Sequence, residues 1–217
     1  MIEKHVYKSA KEWIKARTSF IGGSDAASII GLSSWKSNVT LWEEKTGRKK
    51  PQDLSDNVLV QYGHDAEPLL RALFALDNPH MSVEYEEHNM WTNSDLPFAH
   101  ASLDGWLTDP DGRFGILEIK TATISNSAHS AQWRNKIPDT YYCQILHYFA
   151  VTDAQFAVVV AQLKFPALSG EPWKKTVYIH IERSEVEADI AYLIAEEAKF
   201  ADCIKTGVAP ALVLPQI

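Results

Sequence analysis

The sequence predicts an α/β (α+β) fold in which a central mixed β-sheet is flanked by helices. Apolar residues recur at helical spacing near both ends, the period turns strand-like between residues 82 and 121, and Ala154–Leu163 is almost continuously apolar. Such a run suits a strand buried on both faces. With 217 residues, no internal repeat and no Gly/Ser linker, one domain over 1–217 is the economical organisation.

The elements follow in order. Ser9-Ala-Lys-Glu12 has the capping-box pattern and opens a short helix carrying Trp13 and Ile14. A Gly22-Gly23 turn leads to Ser24, a good N-cap for a helix over Asp25–Ile30 that Gly31 stops. Val39–Thr46 reads as a helix with Leu41 and Trp42 on its apolar side, ended by Gly47 and the basic run Arg48-Lys49-Lys50-Pro51. Asp56–Leu76 is a longer helical region, kinked or restarted near Pro68. Ser82–Tyr85 and His88–Trp91 read as short strands. Ala99–Thr108 and Phe114–Thr121 form a hairpin around the Asp109-Pro-Asp-Gly112 turn. The polar stretch 122–138 reads as a loop and Asp139–Val151 as a helix. After a further strand at Thr176–Ile181, a capping box at Ser184–Glu187 opens a last helix that stops at Gly207.

Apolar residues at 46% and charged residues at 23% exclude a disordered or fibrous chain. No apolar run approaches the roughly 20 residues of a membrane-spanning helix, and the first twenty residues lack the apolar core of an export signal. A cytoplasmic protein is therefore expected. Cys143 and Cys203 lie inside helical patterns and read as packed free thiols. A net charge of −7 argues against a surface coated for nonspecific nucleic-acid binding, yet leaves room for a local basic groove beside a carboxylate site. No HExxH, Walker A or dinucleotide motif is present, so neither zinc chemistry nor ATP hydrolysis is indicated.

The most informative residues are Ala101-Ser-Leu-Asp104-Gly105 and Leu117-Glu118-Ile119-Lys120-Thr121. Alternation along a strand puts Glu118 and Lys120 on one face, and the hairpin can bring Asp104 opposite them. A solvated strand face carrying an ion pair accounts for Glu118 and Lys120 taken alone. Charges in an otherwise apolar strand need partners, however, and a divalent cation bridging Asp104 and Glu118 would supply one.

Asp104 followed after thirteen residues by Glu118-Ile119-Lys120 resembles the PD-(D/E)xK nuclease motif, with Leu103 where proline often stands. Four segments come in the order found in lambda-exonuclease-like, or YqaJ-type, viral recombinase nucleases: Ile21–Gly31, Tyr62–Pro68, Ala101–Gly105 and Gln144–Tyr148. The resemblance covers roughly Arg17 to Gln162 and implies a restriction-endonuclease-like fold. It implies that Asp104, Glu118 and the backbone carbonyl of Ile119 hold Mg²⁺, with Mn²⁺ able to substitute, and that Glu67 serves a second ion. Lys120 would orient and help deprotonate the attacking water or offset charge on the phosphorane, with Gln144 beside it. Arg17, Ser24 and Ser102 match positions that grip a terminal 5′-phosphate. By itself Ser24 is also simply an N-cap, Glu67 a surface residue and Tyr148 a core residue.

Most of the tryptophans, Trp35, Trp91 and Trp106 among them, read as core or interface. Trp133, in a polar loop with Arg134 and Lys136, is the exception expected to contact DNA or another subunit. Cys143 and His147 read as packing residues. The implied activity is a Mg²⁺-dependent 5′→3′ exonuclease on double-stranded DNA ends, leaving 3′ tails for a single-strand annealing protein in a phage or prophage setting. A toroidal homotrimer is implied by the family alone. A PD-(D/E)xK endonuclease or RecB-like nuclease, and a catalytically silent DNA-binding module, are the alternatives. The intact set Glu67, Asp104, Glu118, Lys120 and Gln144 weighs against the silent one.

Overall fold

A computed structural model describes residues 1–134, 136–166 and 171–214. In chain order the elements are β1 (Ile2–Val6), α1 (Ala10–Thr18), β2 (Ile21–Gly22), α2 (Gly23–Ile29), α3 (Asn38–Lys45), α4 (Val58–Asp77), β3 (Ser82–Glu84), β4 (Asn89–Asn93), β5 (Ala99–Ala101), β6 (Gly105–Thr108), β7 (Phe114–Thr123), α5 (Ser127–Ala131), α6 (Asp139–Thr152), β8 (Phe156–Phe165), β9 (Trp173–Glu182) and α7 (Glu187–Thr206). The strands form two mixed sheets, ordered β1-β4-β5-β2 and β3-β6-β7-β8-β9, so the expected single central sheet is divided. The two parallel pairings are β2 with β5 and β7 with β8.

The division falls inside the predicted strand Ala99–Thr108. Asn89 donates to the Leu103 carbonyl and accepts from the Leu103 N–H, both at 2.9 Å, which takes the backbone there out of any ladder. Residues before this point join β4 and those after it join β7. The hairpin turn is as expected. Asp109 Oδ1 accepts from the N–H groups of Asp111 and Arg113, and Gly112 takes φ +78°, a conformation glycine adopts without steric cost.

β1 is an unpredicted strand. Its interior, Glu3-Lys4-His5, shows no apolar alternation, and only pairing with the distant β4 reveals it. α4 runs through Pro68 without interruption, since Ala66, Leu70 and Phe74 bind it to the sheet and outweigh the one N–H that proline lacks. α7 begins after a single 3-10 turn at Arg183–Glu185, with Val186 as its cap; the capping box expected at Ser184 is not made. The stretch 122–138 extends β7 by two residues and includes α5 rather than being wholly irregular, with Asn135 outside the described residues. Ser9 does cap α1, accepting from the Glu12 N–H.

The core has two main layers. Ile116, Val159 and Ala161 pack beneath α2 and α6 on one face of the larger sheet. Leu117, Ile119, Val158 and Val160 meet α4 on the other.

Candidate active site

Alternation on β7 sends Leu117 and Ile119 toward α4, and Glu118 and Lys120 toward α6. Lys120 Nζ lies 2.5 Å from Glu118 Oε1, and Gln144 Nε2 on α6 donates to the same oxygen at 2.8 Å. Gln144 also donates to the Tyr148 hydroxyl, which donates in turn to the Ser102 carbonyl at 2.9 Å. The 3.6-residue period sets Gln144 and Tyr148 one turn apart, so a single helix face presents both. Glu118 is 1% exposed, yet its second oxygen, Oε2, is buried with no hydrogen-bond partner among the described residues. The Glu–Lys pair is therefore no solvated strand face.

Asp104 reaches this site from a different direction than a regular hairpin offers. β6 begins at Gly105, opposite Leu117, so β7 loses its neighbour on that side from Glu118 onward. Asp104 Oδ2 fills the gap by accepting the Ile119 N–H at 2.8 Å. Its backbone is held by Arg71, whose Nε donates to the Asp104 carbonyl at 2.8 Å while the guanidinium stacks on Tyr85. Sequence reasoning missed Arg71 and Asn89 as positioning residues. Arg71 stands one helical turn past Glu67, a spacing that could have flagged it; nothing local flags Asn89.

The electrostatics are those of too many carboxylates for one ammonium. Burial, reinforced by the Asp104 charge, raises Glu118 to about 8 and Glu67 to about 7. Asp104 is also raised, mainly by burial. Lys120 is driven upward because Glu118 and Asp104 outweigh its own desolvation. A divalent cation would relieve this excess charge, and the orphaned Glu118 Oε2 is the oxygen aimed to take it; hard cations prefer such donors. The residues therefore fit an oxygen-bound ion, although no three His, Cys, Asp or Glu side chains among the described residues already converge as a finished cage.

Arg17 and Ser24 line a cavity of about 240 Å³ with Lys36, Lys45 and His100. Arg17 stacks on Trp13, while Lys45 is paired with Asp25 and Lys36 with Glu44. Burial, with Arg17 and the His147 ring nearby, pushes His100 down to about 2, so the cavity wall is a neutral imidazole. Ser24 is not the N-cap. α2 starts two residues earlier, with Gly22 as cap and Asp25 accepting the Gly22 N–H, which leaves Ser24 exposed in the first turn. Ser102 does not line this cavity; its hydroxyl is buried without a partner among the described residues.

Trp133 reverses its expectation. It is 7% exposed and packs in the core, its ring 5.7 Å from Tyr141, because the turn after α5 folds it inward; Arg134 beside it is exposed. His147 is more than a packing residue. Fully buried, it pairs with Glu197 through Nδ1 at 2.8 Å and with the His100 carbonyl through Nε2 at 2.8 Å. Tyr148 is buried as well, and Cys143 packs in the core as expected.

A model of the YqaJ-like viral recombinase domain matches residues 12–155. The Uncharacterized protein YqaJ of Bacillus subtilis (strain 168) is 30% identical over 218 residues, which cover 98% of this chain and 62% of that protein. The chain thus spans less than two thirds of the relative's length. Among solved structures, the alkaline exonuclease LHK-Exo from Laribacter hongkongensis aligns with a TM-score of 0.59 at 20% identity, over 91% of this chain and 97% of that one. Its complex with dAMP aligns at 0.62 and 19%, over 91% and 95%. These likenesses show a common restriction-endonuclease-like fold. The ordered motifs from Ile21 to Tyr148 lie within the matched span, and the chain belongs to the YqaJ-like viral recombinase domain family.

Proposed function

We propose that this chain is a metal-dependent 5′→3′ exodeoxyribonuclease that hydrolyses phosphodiester bonds from 5′-phosphorylated ends of linear duplex DNA. The observation that carries the reading is the meeting of Asp104, Glu118 and Lys120 along β7, with Asp104 on the Ile119 N–H, Lys120 on Glu118 Oε1 and Glu118 Oε2 buried without a partner among the described residues. The fold is shared with LHK-Exo, an alkaline exonuclease that has been captured with dAMP.

Mg²⁺, or Mn²⁺ in its place, would be held by Asp104, Glu118 and the Ile119 carbonyl, with Glu67 serving a second ion. Such ions supply Lewis-acid stabilisation of charge on the phosphate and of an attacking water. Gln144 and Lys120 both engage Glu118 Oε1, which would leave Oε2 available to a cation. Lys120, beside Glu118, would orient and help deprotonate the attacking water or offset negative charge on the phosphorane. Arg17 and Ser24, both on the wall of the same cavity, would take the terminal phosphate. A 3′ single-stranded tail is the product, fit for a strand-annealing protein. We read the toroidal homotrimer in the same way, as the assembly in which a duplex could be enclosed.

The test is digestion of linear duplex DNA labelled separately at each end, with 5′-phosphate or 5′-hydroxyl termini, in Mg²⁺ or EDTA, beside a closed circle. Mg²⁺-dependent loss from 5′-phosphorylated ends with the circle intact is expected. Cutting of the circle would replace the exonuclease by an endonuclease, and no cutting under any condition would end the enzyme reading.

A further inference from the structure

Trp35 is 91% exposed, whereas Trp42, Trp106 and Trp133 are buried. An indole left in water forfeits the burial that normally retains tryptophan, unless something covers it in use. It lines a cleft of about 500 Å³ with Leu59, Thr121, Tyr141 and Lys164. Thr121 directly follows Lys120 on β7, and the Tyr141 ring centre lies 5.0 Å from Lys120 Nζ, so the cleft opens from the candidate active site. From this lining Lys164 reaches the Tyr62 ring, which it shares with its cross-strand partner Lys174. Lys164 Nζ is 3.8 Å from its centre and Lys174 Nζ 5.3 Å, and Lys174 also donates to the Tyr62 hydroxyl at 3.1 Å. Among the described residues neither lysine is paired with a carboxylate, in a chain of net charge −7. Lys164 pairs in register with Thr123, three residues beyond Lys120 and hence about 10 Å along the strand. Among the described residues Asp139 is the one carboxylate in the cleft lining.

An aromatic platform followed by unpaired cations is the combination that binds single-stranded nucleic acid, because every base has a face to stack and every linkage a charge to meet. We propose that this cleft is a track for unpaired DNA, in which Trp35 stacks a base and Lys164 and Lys174 contact the neighbouring phosphates. The inference deepens the nuclease reading by giving the strand beside Lys120 a path and a state, unpaired.

The experiment titrates the full chain into a short fluorescein-labelled oligodeoxythymidylate with a 5′-hydroxyl, in EDTA, following anisotropy at several salt concentrations. Trp35→Ala is expected to weaken binding about tenfold or more, with Trp35→Phe recovering most of it. Replacing both Lys164 and Lys174 by Ala is expected to lower the slope of log K against log salt by about 1.4. An exposed residue can be replaced without loss of folding, which thermal melts will verify. Unchanged affinity in Trp35→Ala, an unchanged salt slope in the lysine variant, or no binding by the wild type overturns the track. Parallel Mg²⁺ digests separate the two readings. A wild type that binds without cutting ends the nuclease reading alone, and one that cuts while Trp35→Ala binds normally ends the track alone.

Discussion

Asp104 Oδ2 accepts the backbone N–H of Ile119 at 2.8 Å, standing in for the strand that β7 loses beyond Leu117. One carboxylate thereby closes a ladder gap and reaches the candidate metal site. Asp104→Asn is expected to lower Mg²⁺-dependent cleavage by at least about a hundredfold, in keeping with the loss of an interaction that stabilises developing charge. Digestion rates report the first effect, and far-UV circular dichroism should show the fold retained, because the Asn carbonyl can still accept from Ile119.

Glu118→Gln should separate stability from activity. Burial and the Asp104 charge oppose ionisation of Glu118, so a neutral amide of the same shape relieves repulsion in the metal-free chain. The melting temperature in EDTA is expected to hold or to rise by about 2–4 °C, the shift that ~1 kcal/mol gives a domain of this size. Mg²⁺-dependent cleavage is expected to vanish. A marked fall in melting temperature would show that the charge is structural.

Gly23→Ala tests how α2 meets α6. A Cβ there would sit 2.5 Å from Tyr148 Cε1 and 2.9 Å from Gln144 Cγ, both on the helix face that holds Glu118. Alanine is otherwise the better helix former, so a measured loss of about 1–3 kcal/mol in urea unfolding would come from this overlap. Cleavage should fall with it.

His147 presents both ring nitrogens to oxygens, those of Glu197 and the His100 carbonyl, an arrangement in which an imidazolium can donate from both. Burial pulls its pKa down, but the Glu197 charge and the two hydrogen bonds outweigh it and raise the value overall. The stability it contributes is full below about pH 6.5, the unfolded value, and is lost as pH climbs through the raised folded value. Urea unfolding across that range should show the decline. Nitrogen-15 spectra should show both ring nitrogens still protonated above pH 6.5.

Trp133→Ala is expected to cost about 3–5 kcal/mol, as a core truncation does, whereas Arg134→Ala should change stability by less than about 0.5 kcal/mol. In the terminal-phosphate assay, Arg17→Ala with Ser24→Ala should erase preference for 5′-phosphorylated ends. Ser102→Ala should leave that preference intact and cost no stability, since its buried hydroxyl has no partner to lose.

What could be read from the sequence was whatever rests on local period and spacing. Alternation placed Glu118 and Lys120 on one face, the four-residue step placed Gln144 with Tyr148, and the Asp109–Gly112 turn set the hairpin. The remainder depends on partners remote in the chain. Asn89 removes Leu103 from a ladder across fourteen residues, β1 exists through pairing with β4, and Trp133 is buried by contacts with α6 that its polar neighbours conceal. The start of α2 lies two positions before the expected one because the Gly22-Gly23 pair leaves it undecided locally.

The parallel pairing of β7 with β8, from Gly115↔Phe156 to Thr123↔Lys164, also sets when the site comes into being. These strands can meet only after a long intervening segment, with α6 inside it, has been closed into a loop, and such non-local pairing is the slow part of folding. Before that closure Gln144 has no Glu118 to hold. A chain emerging from the ribosome or refolding from denaturant therefore lacks the assembled constellation until β7 and β8 have paired, and regained activity should not precede that pairing.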